Sequence, residues 1–465
     1  MAALVAVALG SAMAISATAA VVTIGVLLAT AVVLVASPSA LLLAAVVLMA
    51  NDRYLIVPLP FLGIEVPPWK VVFAAFCLKW LGAYARGRAP VFPLTRGEIA
   101  LCLFAGLAFV SVLNSEQPEA SLRITMWLPF NLILALACAN YARTSAGTLH
   151  RLLRCQLGAA VLYAAFGLLG FGLYLLGVPD APGVVEAGAR TPGQFFVVRL
   201  VSASGDANIF GSYLAWAIPV SLALASSLRA TRLWSAAPAC LLTAGTLTFS
   251  RGLWAAALVV VPGTLVATGW RASRFRRLLP AVLLGGALLF FVSHVELIAD
   301  ILRERIGSAG TMAYSAPESR LQVWIAALSQ MASSPSTMLF GLGQGAFGNW
   351  LSYGLLGEDF RGREGALHVH NVFVEALASG GVLGGGLFAF GVLATLADAI
   401  RTTKGLPAGG RGAEQIAAAA GLSGVLLAGL AVNELLSPWL WAAIGFAAGV
   451  TGIARSGGAL EVRRA

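Results

Sequence analysis

Long apolar stretches, separated by short polar segments, follow one another along most of the chain. Their usual length, about 17–25 residues, is the length that an α-helix needs to cross a lipid bilayer. The spans predicted in this way are residues 3–35, 39–50, 69–85, 97–113, 121–141, 152–177, 206–227, 233–249, 252–269, 277–295, 370–400, 413–433 and 436–454. Because the first span is either one long helix or a tight hairpin, the pattern predicts an all-α, polytopic integral membrane protein with about 12–14 transmembrane helices.

Composition supports the same fold class. The chain has 465 residues, of which 59% are hydrophobic and 11% are charged, and its mean hydropathy is +0.87. A soluble domain does not need so much apolar sequence, so residues 1–465 are expected to form a single integral membrane domain. The five cysteines lie in or beside apolar spans, which argues against a disulfide framework.

Basic residues are concentrated in alternate loops between the spans. These loops carry 18 of the 30 basic residues, namely Arg86, Arg88, Arg96, Arg143, Arg151, Arg154, Arg229, Arg232, Arg271, Arg274, Arg276, Arg277, Arg401, Lys404, Arg411, Arg455, Arg463 and Arg464. By the positive-inside rule this face is cytoplasmic, as is the C-terminus. The net charge of +10 then follows from topology and requires no nucleic-acid partner.

The opposite face carries arginine and no lysine. Its ten basic residues are Arg53, Arg123, Arg190, Arg199, Arg251, Arg303, Arg305, Arg320, Arg361 and Arg363. Arginine suits planar, bidentate binding of phosphate and carboxylate better than lysine does, so this face is a candidate for binding an anion. A codon bias that favours arginine over lysine explains the same observation without a ligand, and the sequence does not choose between the two.

One connection, residues 296–369, is long and polar, and the charge pattern places it on the external, periplasmic side. Within it, Leu321, Trp324, Ile325 and Leu328 recur at helical spacing, which predicts an amphipathic helix over 318–331. This helix is expected to lie on the membrane surface with its tryptophan at the interface. The following segment, 340–350, is rich in glycine and is expected to form a turn-rich loop.

Polar side chains that suit chemistry open the span 370–400. His370 and Asn371 lie at its N-terminal end, where the helix dipole favours a nearby anion and keeps an imidazole neutral. A neutral imidazole can accept a proton from a hydroxyl group, although a polar residue that only caps a helix has the same pattern. His368, two residues earlier, is expected to support this loop or an acceptor. Downstream, Gly381 and Gly385 have the spacing that permits close approach of helices.

Other candidate residues lie at the same predicted face. Arg251 stands at the junction of two tightly linked spans, and Arg199 and Asn208 lie just outside another, where Asp206 or Asn208 is expected to cap a helix. Arg320 begins the amphipathic helix. The chain shows neither metal-ligand spacing nor the paired aspartates of a metal-dependent sugar-nucleotide transferase, so no metal or cofactor is expected.

In combination these motifs resemble the O-antigen ligase and Wzy-type polymerase superfamily of bacterial envelope glycan enzymes. The ligase pattern H-[NSQ]-x9-G-x-x-[GTY] is matched by His370, Asn371, Gly381 and Gly384. "RLVSASGDAN" at 199–208 is similar to a second family segment, with Ala207 where proline is usual. "SRG" at 250–252 and the run from "SRLQVW" to "GLGQGAFGNW" at 319–350 resemble two more. The resemblance covers about residues 198–386, within a core assigned to 198–400.

The resemblance implies an activity and roles for these residues. Members of the superfamily take a glycan from undecaprenyl pyrophosphate and join it to an acceptor hydroxyl at the periplasmic side of the bacterial inner membrane. By this resemblance His370 is the general base, while Arg251 and Arg320 clamp the pyrophosphate without a metal. Arg199 and Asn208 shape the donor site or hold its loop, and Asn371 and His368 support substrate binding. The reaction inverts the anomeric centre.

Three functions remain open at the level of sequence. The first is ligation of a finished glycan to lipid A–core, which the x9 spacing favours. The second is polymerisation, in which the acceptor is a lipid-linked repeat of O-antigen, capsule or exopolysaccharide. The third and most distant is transport of a lipid or solute, although the chain lacks the inverted repeats with broken midplane helices that are frequent in transporters.

Overall fold

A computed structural model describes residues 35–49, 57–59, 64–89, 91–178, 180–187, 197–226, 232–269, 317–345, 369–404, 412–432 and 435–462. Nearly all of the predicted span 3–35 lies outside these residues, as do the span 277–295 and His368. The described chain divides into two compact units. One comprises Met1–Met49 and Ile56–Pro90, and the other comprises Ala50–Leu55 and Val91–Ala465.

The smaller unit is a helical pair with a short hairpin. Its elements are α1 (Pro38–Leu48), β1 (Val57–Leu59), β2 (Ile64–Val66) and α2 (Pro68–Ala85). Helix α1 begins after Ser37, whose hydroxyl accepts a hydrogen bond from the Ala40 N–H. The two helices pack together, and the Lys79 ammonium donates to the Ala36 carbonyl at 2.6 Å.

The larger unit contains the remaining elements. These are α3 (Arg96–Ser111), α4 (Pro118–Thr125), α5 (Trp127–Thr144), α6 (Ala146–Leu175), β3 (Val184–Ala187), β4 (Val197–Leu200), α7 (Ala207–Ala225), α8 (Arg232–Leu247), α9 (Arg251–Ala267), α10 (Pro317–Met331), α11 (Pro335–Phe340), α12 (Val372–Thr403), α13 (Ala413–Gly429) and α14 (Pro438–Val462). Strands β3 and β4 form an antiparallel hairpin.

Several of these helices are long and apolar enough to cross a bilayer. In the described part of the chain the long ones are Arg96–Asn114, Pro118–Thr144, Ala146–Leu175, Ala207–Ala225 and Val372–Thr403. Shorter apolar helices cover Pro38–Leu48, Arg251–Ala267, Ala413–Gly429 and Pro438–Thr451. The prediction of an all-α, polytopic membrane protein is therefore confirmed. The total of 12–14 helices and the single-domain assignment stay predictions.

Helices α12 and α13 lie at the centre of the larger unit. Helix α12 packs against α3, α14 and α13, and α13 packs against α7 and α9. Small residues make the closest approaches, since a Cβ at Gly424 of α13 would collide with the Ala215 carbonyl of α7. Tyr213 and Trp216 of α7 stack at 6.2 Å between ring centroids and fill the space between α7 and α14.

Buried ion pairs join the helices at the end that the sequence predicts to be cytoplasmic. Glu98 completes a capping box with Thr95 and accepts a hydrogen bond from Arg143 at 2.6 Å; each of the two charged side chains is 3% exposed. Arg143 also donates to the Ala448 carbonyl, so this pair links α3, α5 and α14. A pair that loses one partner leaves a buried charge, so both members are needed for stability.

Candidate functional site

Three helices of the larger unit begin at one rim of the helical bundle. We define the histidine rim as residues 197–208, 248–252, 369–372 and 428–432. Helix α7 begins after Asp206, α9 after Ser250 and α12 after Asn371, and each of these side chains accepts hydrogen bonds from N–H groups of its own first turn. The positive ends of three helix dipoles therefore lie at the same rim, an arrangement that favours a bound anion.

Close backbone contacts hold the three helix starts together. A Cβ at Gly211 would lie 2.6 Å from the Ser250 Cβ, so α7 and the start of α9 touch. A Cβ at Gly252 would meet the Ala428 carbonyl at 3.1 Å, and one at Gly429 would meet Val372 at 3.0 Å. Both helix starts thus pack on the end of α13, and this places Arg251 and His370 on one rim.

Arg199 occupies a fixed position in this rim. Its Nε donates to the Thr248 carbonyl at 2.9 Å, and its terminal nitrogen donates to the Asn208 Oδ1 at 2.9 Å. Burial lowers the pKa of the Arg199 guanidinium, Asp206 opposes that shift and Arg251 adds to it. An arginine keeps its proton near neutral pH even so. Arg199 and Arg251, which is exposed, therefore concentrate positive charge at the histidine rim.

His370 has an unusual backbone conformation. Its φ is +53°, and Phe249, which precedes the cap of α9 as His370 precedes that of α12, has a φ of +52°. A non-glycine residue in this region costs on the order of 1–3 kcal/mol and persists where surrounding contacts hold it. One such contact is the hydrogen bond from the Trp324 indole to the Val369 carbonyl, at 2.7 Å. The half-buried imidazole is thus presented by a constrained backbone.

Asn371 has a clear structural role. Its Oδ1 accepts hydrogen bonds from the N–H groups of Phe373 at 3.0 Å and Val374 at 3.2 Å, and the residue is buried. The side-chain oxygen therefore caps α12. Asn371 is therefore a helix cap, which was one of the two interpretations of the polar residues at this position. At the start of α7 the cap is Asp206 and not Asn208.

Helix α12 is broken at Gly381, where φ is +67° and ψ is −172°. The break leaves carbonyl groups of α12 without helical hydrogen-bond donors, and the loop after α11 supplies N–H groups in their place. Leu342 N–H donates to the Ala378 carbonyl at 2.9 Å and Gly343 N–H to the Ser379 carbonyl at 3.1 Å. A Cβ at Gly381 would collide with the Leu339 backbone. The close approach expected at this glycine is thus made by the end of α11 together with Gly341, the first residue after it.

The long connection packs on α12 through a different face from the one expected. The helix predicted at 318–331 exists as α10, but its buried positions are Val323, Ala327 and Met331, while Ile325 is exposed. The small alanine lets α10 approach α12, and a cluster that includes Leu342 and Ala378 fills the contact. Arg320 lies one turn before Trp324 on α10; its side chain is outside the described residues.

Glu375 is a further polar residue near the rim that none of the sequence motifs indicates. This carboxylate is buried in the first turn of α12 and accepts a hydrogen bond from the Ser379 hydroxyl at 3.1 Å, while the backbone N–H of Glu375 donates to the Asn371 carbonyl. It therefore lies between the cap of α12 and the break at Gly381. The available signal was an acid inside an apolar span, which is rare unless the residue has a role.

Among the described residues, no group of three or more His, Cys, Asp or Glu side chains could hold a metal ion. The groups gathered at the histidine rim are instead guanidinium, amide and imidazole, together with the Asp206 carboxylate that caps α7. The rim therefore has the donors that suit an anionic ligand, together with one group that can exchange a proton near neutral pH.

Most of these residues lie in a segment that is similar to a known protein family. Residues 236–389 match a family model described as O-antigen ligase. The matched segment includes Arg251, Arg320, His370 and Glu375 as well as the break at Gly381, whereas Arg199 and Asn208 precede it. No curated protein matches the chain. Residues 236–389 are therefore similar to the O-antigen ligase family, which is part of the superfamily that the sequence motifs resemble.

Proposed function

We propose that the protein is a membrane glycosyltransferase that moves a glycan from undecaprenyl pyrophosphate to an acceptor hydroxyl at the histidine rim. The acceptor that we favour is lipid A–core, as in an O-antigen ligase, and the rim would face the periplasm. The observation that carries the proposal is the meeting of three helix N-termini with Arg199, Arg251 and His370 at one rim.

In this proposal the rim stabilises the leaving group. As the bond between the anomeric carbon and the pyrophosphate oxygen breaks, its electron pair departs with the pyrophosphate. Arg251 and Arg320 would bind the departing anion, and the helix N-termini add fixed partial positive charge. Donors that are already in place lower the barrier because they need no reorganisation during the reaction. This chemistry can proceed without a metal.

His370 would act as the general base. The acceptor hydroxyl gives its proton to the imidazole while its oxygen bonds to the anomeric carbon, on the face opposite the pyrophosphate, so the anomeric configuration inverts. The constrained loop supports this role because a base must be held within hydrogen-bond reach of its proton. His368 would support the same loop or the acceptor.

Arg199 and Asn208 would shape the donor site as a unit. The Asn208 Oδ1 and the Thr248 carbonyl together fix both the position and the plane of the Arg199 guanidinium. A guanidinium held in one plane can present its remaining N–H groups to phosphate oxygens with little loss of side-chain entropy. Asn371 would contribute indirectly, by capping the helix that follows His370.

Gene deletion, followed by gel analysis of surface and lipid-linked glycans, tests the function. Long glycan retained on undecaprenyl pyrophosphate, with bare lipid A–core, is the result expected for a ligase. Single repeats would instead indicate the polymerase alternative, which uses the same donor chemistry. Unchanged glycan length and attachment, with another solute mislocalised, would contradict both and favour transport.

A further inference from the structure

A groove runs along the outside of the central helices, among α9, α12 and α13. Its volume is about 570 Å³, within the range of about 300–1,000 Å³ that is usual for ligand sites. The lining includes Val259 and Gly263 of α9, Leu393 and Leu396 of α12, and Ala420 and Leu427 of α13. The groove is therefore built from aliphatic and small side chains.

The hydroxyl groups in the groove wall are already bonded within their own helices. Thr264 donates to the Val260 carbonyl at 2.7 Å, Thr403 to the Ile400 carbonyl at 2.7 Å and Ser423 to the Ala419 carbonyl at 2.9 Å. These side chains present little hydrogen-bonding capacity to an occupant. The wall thus suits a hydrocarbon chain and offers nothing specific to a sugar or a phosphate.

One end of the groove reaches the histidine rim. Phe373 and Leu430 line it there, and Phe373 is three residues after His370. The other end lies near Ile400, Thr403 and Ile416. Along α13, the distance from Ile416 to Leu430 corresponds to about 21 Å of helix rise, a large part of the thickness of a bilayer core.

We propose that this groove binds the polyprenyl chain of the lipid-linked donor. The inference rests on the proposed function, because it requires a donor whose pyrophosphate lies at the histidine rim. A lipid with its headgroup there would have its chain start beside Phe373 and continue along α13 towards Ile416. The continuity between the rim and the groove favours the donor as occupant over a phospholipid, because a pyrophosphate offers the arginines of the rim more negative charge and more acceptor oxygens than a single phosphodiester does.

Gly263 offers a direct way to fill the groove. A Cβ added at this exposed position of α9 would meet no atom within 4 Å. Gly263→Trp is therefore expected to occupy the groove without disturbing the helix packing. Gly106→Trp is a matched control, since Gly106 is also an exposed helical glycine with no atom within 4 Å of an added Cβ, and it lies on α3, away from the groove. Gly263→Leu provides a smaller change at the same position.

The test measures binding to the full-length protein in nanodiscs of phosphatidylethanolamine and phosphatidylglycerol. The two probes are undecaprenyl pyrophosphate and the shorter farnesyl pyrophosphate, which share a headgroup. Gly263 lies about 18 Å along α9 from Arg251, so a short chain should not reach it. We expect Gly263→Trp to weaken undecaprenyl pyrophosphate binding by at least about tenfold, because each displaced methylene costs about fourfold. Farnesyl pyrophosphate binding should stay unchanged, and Gly106→Trp should affect neither probe.

Several results would overturn the inference. The first is that both Gly263 variants bind undecaprenyl pyrophosphate as the wild type does. The second is that they lose affinity for both probes equally. The third is that a photo-crosslinker at Ala420 captures phospholipid or the protein's own chain while undecaprenyl pyrophosphate is bound. The proposed function is judged separately by the deletion strain. Chain-length-dependent binding with normal surface glycan would leave the groove assignment standing and refute the transferase. A loss of surface glycan in the deletion strain, together with wild-type undecaprenyl pyrophosphate binding by Gly263→Trp, would support the transferase and refute the groove assignment.

Discussion

At the scale of single residues, the rim depends on side chains whose backbone and partners are tightly defined. His370 combines a left-handed conformation with a proposed chemical role. Arg199 is held by two acceptors that come from different segments of the chain. Replacements at these positions can therefore be chosen to change the chemistry while retaining the local structure.

His370→Asn should remove the imidazole while retaining the left-handed backbone conformation at this position. Asparagine tolerates the left-handed region better than most residues, so the variant should insert and fold normally. Loss of a general base typically lowers the rate about 10²–10⁴-fold, and we expect a drop of that size in glycan transfer by membranes that contain equal amounts of protein. Near-normal transfer by a correctly inserted His370→Asn protein would remove the base from the mechanism.

Arg199→Lys should impair transfer although the charge is retained. A single ammonium cannot reproduce the planar pair of hydrogen bonds to Thr248 and Asn208. We expect a loss of at least about tenfold, since a hydrogen bond to a charged group contributes about 1.5–3 kcal/mol. Arg123, an exposed arginine on α4, is the matched control, and Arg123→Lys should transfer glycan at the wild-type rate. Equal behaviour of the two variants would show that Arg199 acts through charge alone.

At the scale of elements, several spans that fall on described residues were predictable to within a few residues, while their internal breaks were not. The predicted spans 69–85 and 97–113 correspond to α2 (Pro68–Ala85) and α3 (Arg96–Ser111). Apolar length alone dictates such segments, because the backbone must satisfy its own hydrogen bonds in lipid. The break at Gly381 was not predictable, since it depends on a loop some 40 residues earlier that binds the freed carbonyl groups.

Gly381→Ala should lower the thermal stability of the protein, whereas Gly386→Ala should not. An alanine at Gly381 needs a φ of +67° with a ψ of −172°, a region that is essentially restricted to glycine and costs about 1–3 kcal/mol, and its Cβ would collide with the Leu339 backbone. Gly386 lies on the same helix with no atom within 4 Å of an added Cβ. We expect thermal unfolding of Gly381→Ala in detergent at a clearly lower temperature than wild type, with Gly386→Ala unchanged or slightly more stable. Matching melting temperatures for the two variants would mean that the break is not required.

At the scale of the whole molecule, the distribution of charge predicts which way the bundle faces. Lys404 follows α12 at the end that carries the buried Glu98–Arg143 pair and the partly buried His150–Glu414 hydrogen bond. Ser333 precedes α11, in the long connection that packs near the histidine rim. The positive-inside rule places these two positions on opposite sides of the membrane.

Labelling of introduced cysteines checks this orientation. With an impermeant maleimide on intact spheroplasts, Ser333→Cys should react and Lys404→Cys should react only after the membrane is permeabilised. Both positions are exposed, so access to the reagent should depend on the side of the membrane. The unmodified chain, with its five native cysteines, gives the background. The reverse labelling pattern would put His370 on the cytoplasmic side and exclude a periplasmic reaction.

The sequence by itself indicated the membrane fold class, most span positions among the described residues, a helix cap at Asp206 or Asn208, a helix start at His370 and Asn371, and the motifs that resemble a glycan ligase. These features depend on apolar length, capping and local spacing, all of which act over a few neighbouring residues. Only the tertiary structure decided that Arg199 bonds to Thr248, that α9 and α12 begin against the end of α13, and that a groove leads from the rim along α13. Those contacts join residues far apart in the chain, and packing of the assembled helices selects them.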